Sequence, residues 1–164
     1  MKIAVLTPTR GRPGRLDNFI QSVHGLAKDK QRVYTYNYID ADDPRTKAYD
    51  DYRKKQPANS INVTGDPQSV SKSWNVLAKM AIDNGADVLI MGNDDMMYRT
   101  EAWDEILEEE TKKYPDDIYV MWFEDFINGE NHCAFPIVSK TWYETVGYFT
   151  PGIFNFGYND TWIF

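Results

Sequence analysis

Apolar residues recur along this chain in two patterns, which predict two kinds of element. Short apolar or alternating runs are typical of strands. They occupy residues 3–6, 32–39, 60–63, 88–91 and 118–123. Apolar positions three and four residues apart predict amphipathic helices at 15–26, at 69–83 and beyond Thr100, and a shorter helix is expected at 49–55. Because strands alternate with helices, we expect a mostly parallel sheet covered on both faces.

The last third of the chain departs from this alternation. Thr100 is expected to cap a helix whose inward side chains are Trp103, Ile106 and Leu107. After residue 126 the pattern predicts a turn at 129–131, an antiparallel strand at 133–138 and a short helix at 139–146. No repeat, low-complexity segment or linker divides the chain. Residues 1–164 are therefore expected to form one α/β domain, a three-layer α/β/α sandwich.

Composition narrows the class of protein. The single cysteine, Cys133, excludes an internal disulfide and a cysteine-based zinc site. No stretch approaches the roughly 20 apolar residues of a membrane span, and residues 1–6 are too short for a signal peptide. The sequence therefore predicts a cytoplasmic protein, and it leaves a homo-oligomer open.

The charge is acidic overall and unevenly distributed. A net charge of −7 argues against nucleic acid as a partner. Residues 1–60 hold 12 Lys and Arg against 7 Asp and Glu, whereas residues 61–164 hold 6 against 18. The basic first part suits a phosphate-bearing ligand. The acidic second part suits a metal ion or a solvated surface.

Polar side chains follow three of the predicted strands at their carboxyl ends, where open parallel sheets bind ligands. The three groups are Thr7, Thr9, Arg10 and Arg12 after the first strand; Asp40, Asp42, Asp43 and Arg45 after the second; and Asn93, Asp94 and Asp95 after residues 88–91. Because these strand ends meet at one edge, the groups are expected to converge on one site.

Each group admits a structural and a functional interpretation. Asp94 and Asp95 end an apolar strand, where Mg²⁺ or Mn²⁺ would offset two adjacent carboxylates, or they form an acidic turn. The carboxylates at 40–43 accept hydrogen bonds from a nucleoside, or they form an Asp-Asp-Pro turn. Arg10, Arg12 and Arg15 hold a diphosphate, or they are solvated.

The chain resembles the GT-A fold glycosyltransferases, especially the family-two-like inverting group. The resemblance rests on residues 3–10, on Asp-Ala-Asp-Asp at 40–43, on Ser71, Lys72, Trp74 and Asn75 of one helix, on 86–95, and on Phe-Gly-Tyr-Asn-Asp at 156–160. The segment at 86–95 resembles a strand leading into an Asp-x-Asp motif, with Gly92 or Asn93 at the first acidic position. The late motif reads Asn-Asp rather than Glu-Asp.

The resemblance implies a Rossmann-like GT-A fold and metal-dependent transfer of a sugar, with inversion, from a nucleotide donor to an acceptor hydroxyl. The donor expected first is a UDP-sugar, and the acceptor is a sugar or another hydroxyl compound. The implied metal ligands for Mn²⁺ or Mg²⁺ are Asp94 and Asp95, and the implied catalytic base is Asp160. The implied donor-binding residues are Thr7, Thr9, Arg10, Arg12, Asp40, Asp42, Lys72 and Asn93.

Two alternatives stay open. The segment 10–16, Arg-Gly-Arg-Pro-Gly-Arg-Leu, echoes the glycine-rich loop of sugar nucleotidyltransferases. The absent first acid of the Asp-x-Asp motif favours a non-catalytic module that binds nucleotide sugars. His24 is expected to be structural. His132 follows the turn at Gly129 and is expected at the surface, with an approach to the site as the alternative. The late aromatic run at 142–162 is expected to lie mostly in the core, with Tyr158 or Trp162 available to an acceptor sugar.

Overall fold

A computed structural model describes residues 1–127, 129–155 and 157–163 of the chain. Its strands are β1 Ile3–Thr9, β2 Val33–Asp40, β3 Ser60–Gly65, β4 Val88–Met91, β5 Val120–Trp122 and β6 Pro136–Ser139. Its helices are α1 Pro13–Leu26, α2 Thr46–Arg53, α3 Val70–Asp83, α4 Trp103–Thr111, α5 Lys140–Val146 and α6 Asn159–Ile163, with a 3-10 turn at Gly129–Asn131. Every strand and helix predicted from the apolar pattern is therefore present, with shifted ends.

The strands form one six-stranded sheet in the order β3-β2-β1-β4-β6-β5. β1 pairs in parallel with β2 and β4, and β2 pairs in parallel with β3. β6 runs antiparallel to both β4 and β5, as the change of pattern after residue 126 predicted. Because Leu6 pairs with Met91 and Thr9 pairs with Ile39, the carboxyl ends of three parallel strands lie side by side.

Alternating side chains of β1 divide between two cores, one on each face of the sheet. Ile3 and Val5 pack with α1 and α4, whereas Ala4 and Leu6 pack with α3. All four side chains are fully buried. A sheet with helices on both faces is the three-layer arrangement that the sequence predicted.

Helix α4 begins differently from the sequence-based expectation. Thr100 does not cap it, because the N-cap is Ala102, which has a left-handed backbone (φ 53°) and no capping side chain. Trp103 and Leu107 face inward as predicted, but the prediction for Ile106 is wrong, since it is 50% exposed. Asp104 takes the remaining inward position and is fully buried.

Asp104 ties α4 to the segment that joins α1 to β2. Its carboxylate accepts backbone hydrogen bonds from Lys28 (2.6 Å) and Asp29 (3.1 Å). Arg32 donates to it through Nε at 2.9 Å and pairs with Glu108 at 2.6 Å. Burial opposes ionisation of Asp104, but these donors outweigh burial and hold its pKa below the ordinary value.

His24 is structural, as expected. It is 3% exposed, and its Nε2 lies 3.5 Å from Thr35 Oγ1. Burial, with a smaller contribution from Lys30, lowers its pKa to about 4. The imidazole is therefore neutral at pH 7. None of the described helices is long and apolar enough to cross a membrane.

Candidate functional site

A cleft with a volume of about 570 Å³ opens at the carboxyl ends of β1, β2 and β4. Seven of the residues singled out from the sequence line it: Thr9, Arg10, Arg12, Asp40, Asn93, Asp95 and Asp160. The three polar groups therefore converge as the strand order predicts. Thr7, Asp42, Lys72 and Asp94 do not line the cleft.

One end of the cleft carries a charged cluster of Arg10, Asp40 and Asp42. Arg10 Nη1 lies 2.9 Å from Asp40 Oδ2 and also pairs with Asp42 Oδ1. The hydrogen bonds that Arg10 donates to Asp42 and Asp40 raise its pKa, and the guanidinium lowers the pKa of Asp42. Two carboxylates thus already offset the charge of Arg10. This end of the cleft therefore presents both hydrogen-bond donors and acceptors to a ligand.

Asp94 lies beneath the cleft rather than in its wall. It is 1% exposed, and Thr9 Oγ1 donates to its Oδ2 at 2.6 Å. Arg12 Nη2 lies 3.0 Å from Oδ1, an ion pair without hydrogen-bond alignment, so this buried oxygen has no hydrogen-bond donor. Burial raises the pKa of Asp94, whereas Thr9 and Arg12 act in the opposite direction.

The two neighbours of Asp94 face the cleft instead. Asn93 and Asp95 both line it, and the Asp95 side chain is 45% exposed. Arg12 Nη1 lies 3.7 Å from Asp95 Oδ2, so one guanidinium spans both aspartates of the turn. The turn therefore presents an amide and a carboxylate, two residues apart, to a ligand.

This donor set fits a divalent ion that is shared with a phosphate ligand. The described residues contain no cluster of three or more Asp, Glu, His or Cys side chains around one point. Mg²⁺ is usually held by one or two carboxylates together with substrate phosphates and water, and Mn²⁺ also prefers oxygen ligands. Asp95 and Asn93 can supply these few protein ligands, and the phosphates and water would supply the others.

The turn is held against β1 by close backbone approach at Gly92. A Cβ placed on Gly92 would lie 2.8 Å from Thr7 Oγ1 and 3.1 Å from both Leu6 O and Phe19 Cζ. Trp74 Nε1 donates to Leu6 O at 3.1 Å and to Gly92 O at 3.3 Å. Thr7 is fully buried under this contact, and its hydroxyl has no hydrogen-bond partner.

Replacing Gly92 with Ala is expected to lower the free energy of unfolding by about 2 kcal/mol, because the added methyl group has no room. Urea denaturation would measure the change. Gly25→Ala is the matched control, since nothing lies within 4 Å of a Cβ at that position in α1. A Gly92→Ala protein as stable as the unsubstituted chain would contradict the tight packing of the turn.

Side chains of α3 hydrogen-bond the late segments of the chain that form the opposite wall of the cleft. Asn75 Oδ1 accepts from the backbone of Phe149 at 2.9 Å and Thr150 at 3.0 Å. One turn earlier, Ser71 hydrogen-bonds Asn159 at 2.9 Å. These contacts explain why the side chains at 71 and 75 are polar on an otherwise apolar helix face. Lys72 between them is exposed, and its backbone N–H donates to the capping Ser69.

Asp160 lies in the first turn of α6 and lines the cleft. His132 Nε2 lies 3.3 Å from Asp160 Oδ2, and the Thr161 N–H donates to Oδ1 at 2.8 Å. His132 is partly exposed, at 31% of its side chain, and it also contacts a cleft carboxylate. The sequence left open an approach of His132 to the site, but it did not identify Asp160 as the partner, since 28 residues separate the two. Phe156 of the late motif lies outside the described residues.

The late aromatic residues divide between core and surface. Phe149 is fully buried, whereas Tyr158 is 71% exposed. Trp162 packs against Tyr148 with ring centroids 5.5 Å apart. Neither Tyr158 nor Trp162 belongs to the cleft lining, so the described cleft offers no aromatic platform from these two residues.

Comparison with known proteins identifies the fold. No protein-family model and no curated protein matches the sequence. S. aureus TarS, residues 1–349 in complex with UDP, matches with a TM-score of 0.69 and 14% identity over 98% of this chain and 53% of that one. A Pyrobaculum calidifontis mannosyltransferase in complex with GDP-Man and Mn²⁺ matches with a TM-score of 0.72 and 10% identity over 98% and 50%.

A cytidylyltransferase from Leptospira borgpetersenii matches less closely, with a TM-score of 0.59 and 12% identity over 90% of this chain and 64% of that one. The chain therefore has the Rossmann-like GT-A fold, which is shared by nucleotide-diphospho-sugar transferases. It spans about half the length of the first two structures.

Proposed function

We propose that this chain is the donor-binding domain of a metal-dependent glycosyltransferase. It moves a sugar from a nucleoside diphosphate donor, with a UDP-sugar as the first candidate, to an acceptor hydroxyl with inversion at the anomeric carbon. One observation carries the proposal. A single cleft brings together the charged cluster of Arg10 and Asp40, the carboxylate of Asp95, and the carboxylate of Asp160.

The end near Arg10 suits the nucleoside. Asp40, whose side chain is 15% exposed, accepts hydrogen bonds from a base or from ribose hydroxyls, and Tyr38 lines the same region. Asp42 lies behind Arg10 and acts through it, because it pairs with the guanidinium without lining the cleft. Structures of this fold that bind UDP or GDP-Man support a nucleotide ligand.

The turn at 93–95 suits the diphosphate and its metal ion. Asp95 and the Asn93 carbonyl oxygen would hold Mn²⁺ or Mg²⁺ against the phosphates, and the ion would offset charge on the departing diphosphate. Arg12 also lines the cleft and adds positive charge next to this turn. Asp94 is buried beneath the cleft, where it accepts a hydrogen bond from Thr9 and pairs with Arg12. We therefore assign it a role in positioning these two side chains rather than in coordinating the metal ion.

Asp160 suits the proton transfer. A carboxylate at the far end of the cleft accepts the proton of the acceptor hydroxyl as that oxygen attacks the anomeric carbon. The contact from His132 Nε2 and the Thr161 N–H orient the two carboxylate oxygens. Attack from the face opposite the departing diphosphate gives inversion in one displacement.

A thermal-shift panel of UDP, GDP, CDP and dTDP, with and without Mn²⁺, tests the donor site. At least one nucleotide is expected to raise the melting temperature more with Mn²⁺ than without it. Asp95→Asn is expected to weaken metal-dependent binding about tenfold, because the ion loses a charged ligand. Asp83→Asn, on the exposed end of α3, is the matched control.

A panel in which no nucleotide raises the melting temperature would contradict the donor site. Equal affinities of the Asp95→Asn and Asp83→Asn proteins would contradict the metal assignment alone.

A sugar nucleotidyltransferase is the second candidate, because cytidylyltransferases share the fold and residues 10–16 echo their glycine-rich loop. The two reactions release different products. Incubation with a sugar phosphate and a nucleoside triphosphate is expected to release no inorganic diphosphate. Release of diphosphate would establish the second candidate and overturn the first.

A further inference from the structure

A second, separate pocket lies between the start of α1 and helix α2. Its volume is about 420 Å³. Its polar lining consists of three arginines, an amide and a phenol: Arg12, Arg15, Arg45, Asn18 and Tyr52. We call it the arginine pocket. Arg12 is the one side chain that it shares with the donor cleft, so the two openings lie on either side of this residue.

The arginine pocket is positively charged, and none of the described residues that line it carries a carboxylate. Among the described residues, no carboxylate lies within ion-pair distance of Arg15 or Arg45. Asp43 is close in sequence, but its carboxylate accepts from the backbone N–H groups of Gly11 (2.5 Å) and Arg45 (2.8 Å). The neighbouring acid thus shapes the loop and does not pair with either guanidinium.

The backbone at the start of α1 adds to the positive charge of the pocket. Helix α1 starts at Pro13 with no capping side chain and no acidic residue in its first turn. The free N–H groups of a first turn carry partial positive charge. A Cβ on Gly14 would lie 3.3 Å from Tyr52 Oη, so the glycine lets the phenol reach this helix end. The phenol supplies one more donor to the pocket.

We propose that the arginine pocket binds a phosphate group that is not part of the sugar donor. Arg12 shares its charge with Asp94 and Asp95, whereas Arg15 and Arg45 have no carboxylate partner among the described residues. The pocket therefore keeps an excess of positive charge that a phosphate anion would offset. The planar guanidinium forks match phosphate oxygens in bidentate geometry. The free ion and a phosphomonoester share this chemistry. Because Arg12 also contacts Asp94 and Asp95, occupation of the pocket is communicated to the turn at 93–95.

Amide chemical shifts followed during titration with inorganic phosphate, at constant ionic strength, test the proposal. Shifts are expected around Gly11, Gly14 and Tyr52. Arg45→Gln and Arg15→Gln are each expected to weaken phosphate binding about tenfold, the effect of losing one charge-assisted contact. Lys47→Gln is the matched control, because Lys47 is exposed on α2 and does not line the pocket.

Equal phosphate affinities in the Arg45→Gln, Arg15→Gln and Lys47→Gln proteins would overturn the proposal. A second titration uses glycerol 3-phosphate. Binding at least as tight as that of inorganic phosphate assigns the ligand as a phosphomonoester, and binding of inorganic phosphate alone assigns the free ion.

A third titration adds phosphate to protein saturated with nucleoside diphosphate and Mn²⁺. Retained binding supports a separate site, whereas displacement would assign the arginines to the donor cleft and overturn the inference. The two proposals can fail separately. If no nucleotide binds but the arginine-dependent phosphate shifts remain, the proposed function is contradicted and the phosphate site is retained.

Discussion

Replacing Asp160 with Asn is expected to lower kcat for sugar transfer by about a thousandfold, within the usual range for loss of a general base. Asparagine keeps the size of the side chain, but its amide does not accept the acceptor's proton. Binding of the nucleoside diphosphate is expected to be unchanged, because the substitution leaves the proposed donor contacts at Asp40 and the turn at 93–95 intact. Release of nucleoside diphosphate from the donor sugar measures the rate, with water as the acceptor where no other is supplied.

Two comparisons make this result specific. Glu144→Gln removes a similar charge from exposed α5 and is expected to leave kcat unchanged. His132→Gln removes the side-chain contact that orients Asp160 and is expected to lower kcat while the nucleotide affinity stays constant. A rate for Asp160→Asn within threefold of the unsubstituted protein would exclude Asp160 as the base. An unsubstituted chain that releases no nucleoside diphosphate would favour a non-catalytic binding module.

The fold was predictable because it depends on which residues are apolar. Runs such as 3–6 and 88–91 have no polar side chain to place in water, and they form the buried centre of the sheet. The parallel order follows, because helices separate consecutive strands. The convergence of Arg10, Asp40 and Asp95 was predictable for the same reason, since carboxyl ends of parallel strands share one edge.

The role of each residue in the turn was not predictable in the same way. Asp94 and Asp95 are chemically identical in the sequence, and only the path of the backbone separates a buried side chain from an exposed one. Thr9 and Arg12 hold Asp94 from β1 and the loop after it, across 85 and 82 positions of the chain. The resemblance implied both aspartates as metal ligands, but only Asp95 lines the cleft.

Contacts between distant loops were also beyond the sequence pattern. His132 lies in an irregular segment and Asp160 in the short helix α6, and apolar periodicity carries no information about their proximity. The arginine pocket likewise depends on how α2 lies beside the start of α1, which brings Arg45 to Arg15. The sequence shows basic residues at 10, 12 and 15, but their division between two openings depends on the three-dimensional arrangement.

The start of α4 differs from the prediction for a physical reason, which also identifies a residue important for stability. A threonine before an apolar repeat is a common capping signal. Here the chain enters the helix through a left-handed Ala102, and the first turn instead sends Asp104 inward to accept hydrogen bonds from Lys28 and Asp29. Asp104 therefore joins α4 to the segment between α1 and β2, a contact that sheet pairing does not provide.

Replacing Asp104 with Ala is expected to lower the free energy of unfolding by about 3 kcal/mol, because it leaves buried donors unpaired. Glu108 keeps one contact with Arg32, which places the loss at the lower end of the usual range for a broken buried pair. Chemical denaturation at pH 7 measures the change. Glu105→Ala is the matched control, since Glu105 is an exposed acid of the same helical turn and is expected to change stability by less than about 0.5 kcal/mol.

The pH dependence separates this electrostatic role from simple loss of packing. The pKa of Asp104 is lowered in the folded chain, so its stabilisation is present above the unfolded value of about 3.9 and is lost as the pH falls through the folded value. The difference in stability between the unsubstituted and Asp104→Ala proteins is therefore expected to shrink as the pH is lowered below the unfolded value. A difference that stays constant over that range would show that Asp104 stabilises the fold by packing and not by its charge.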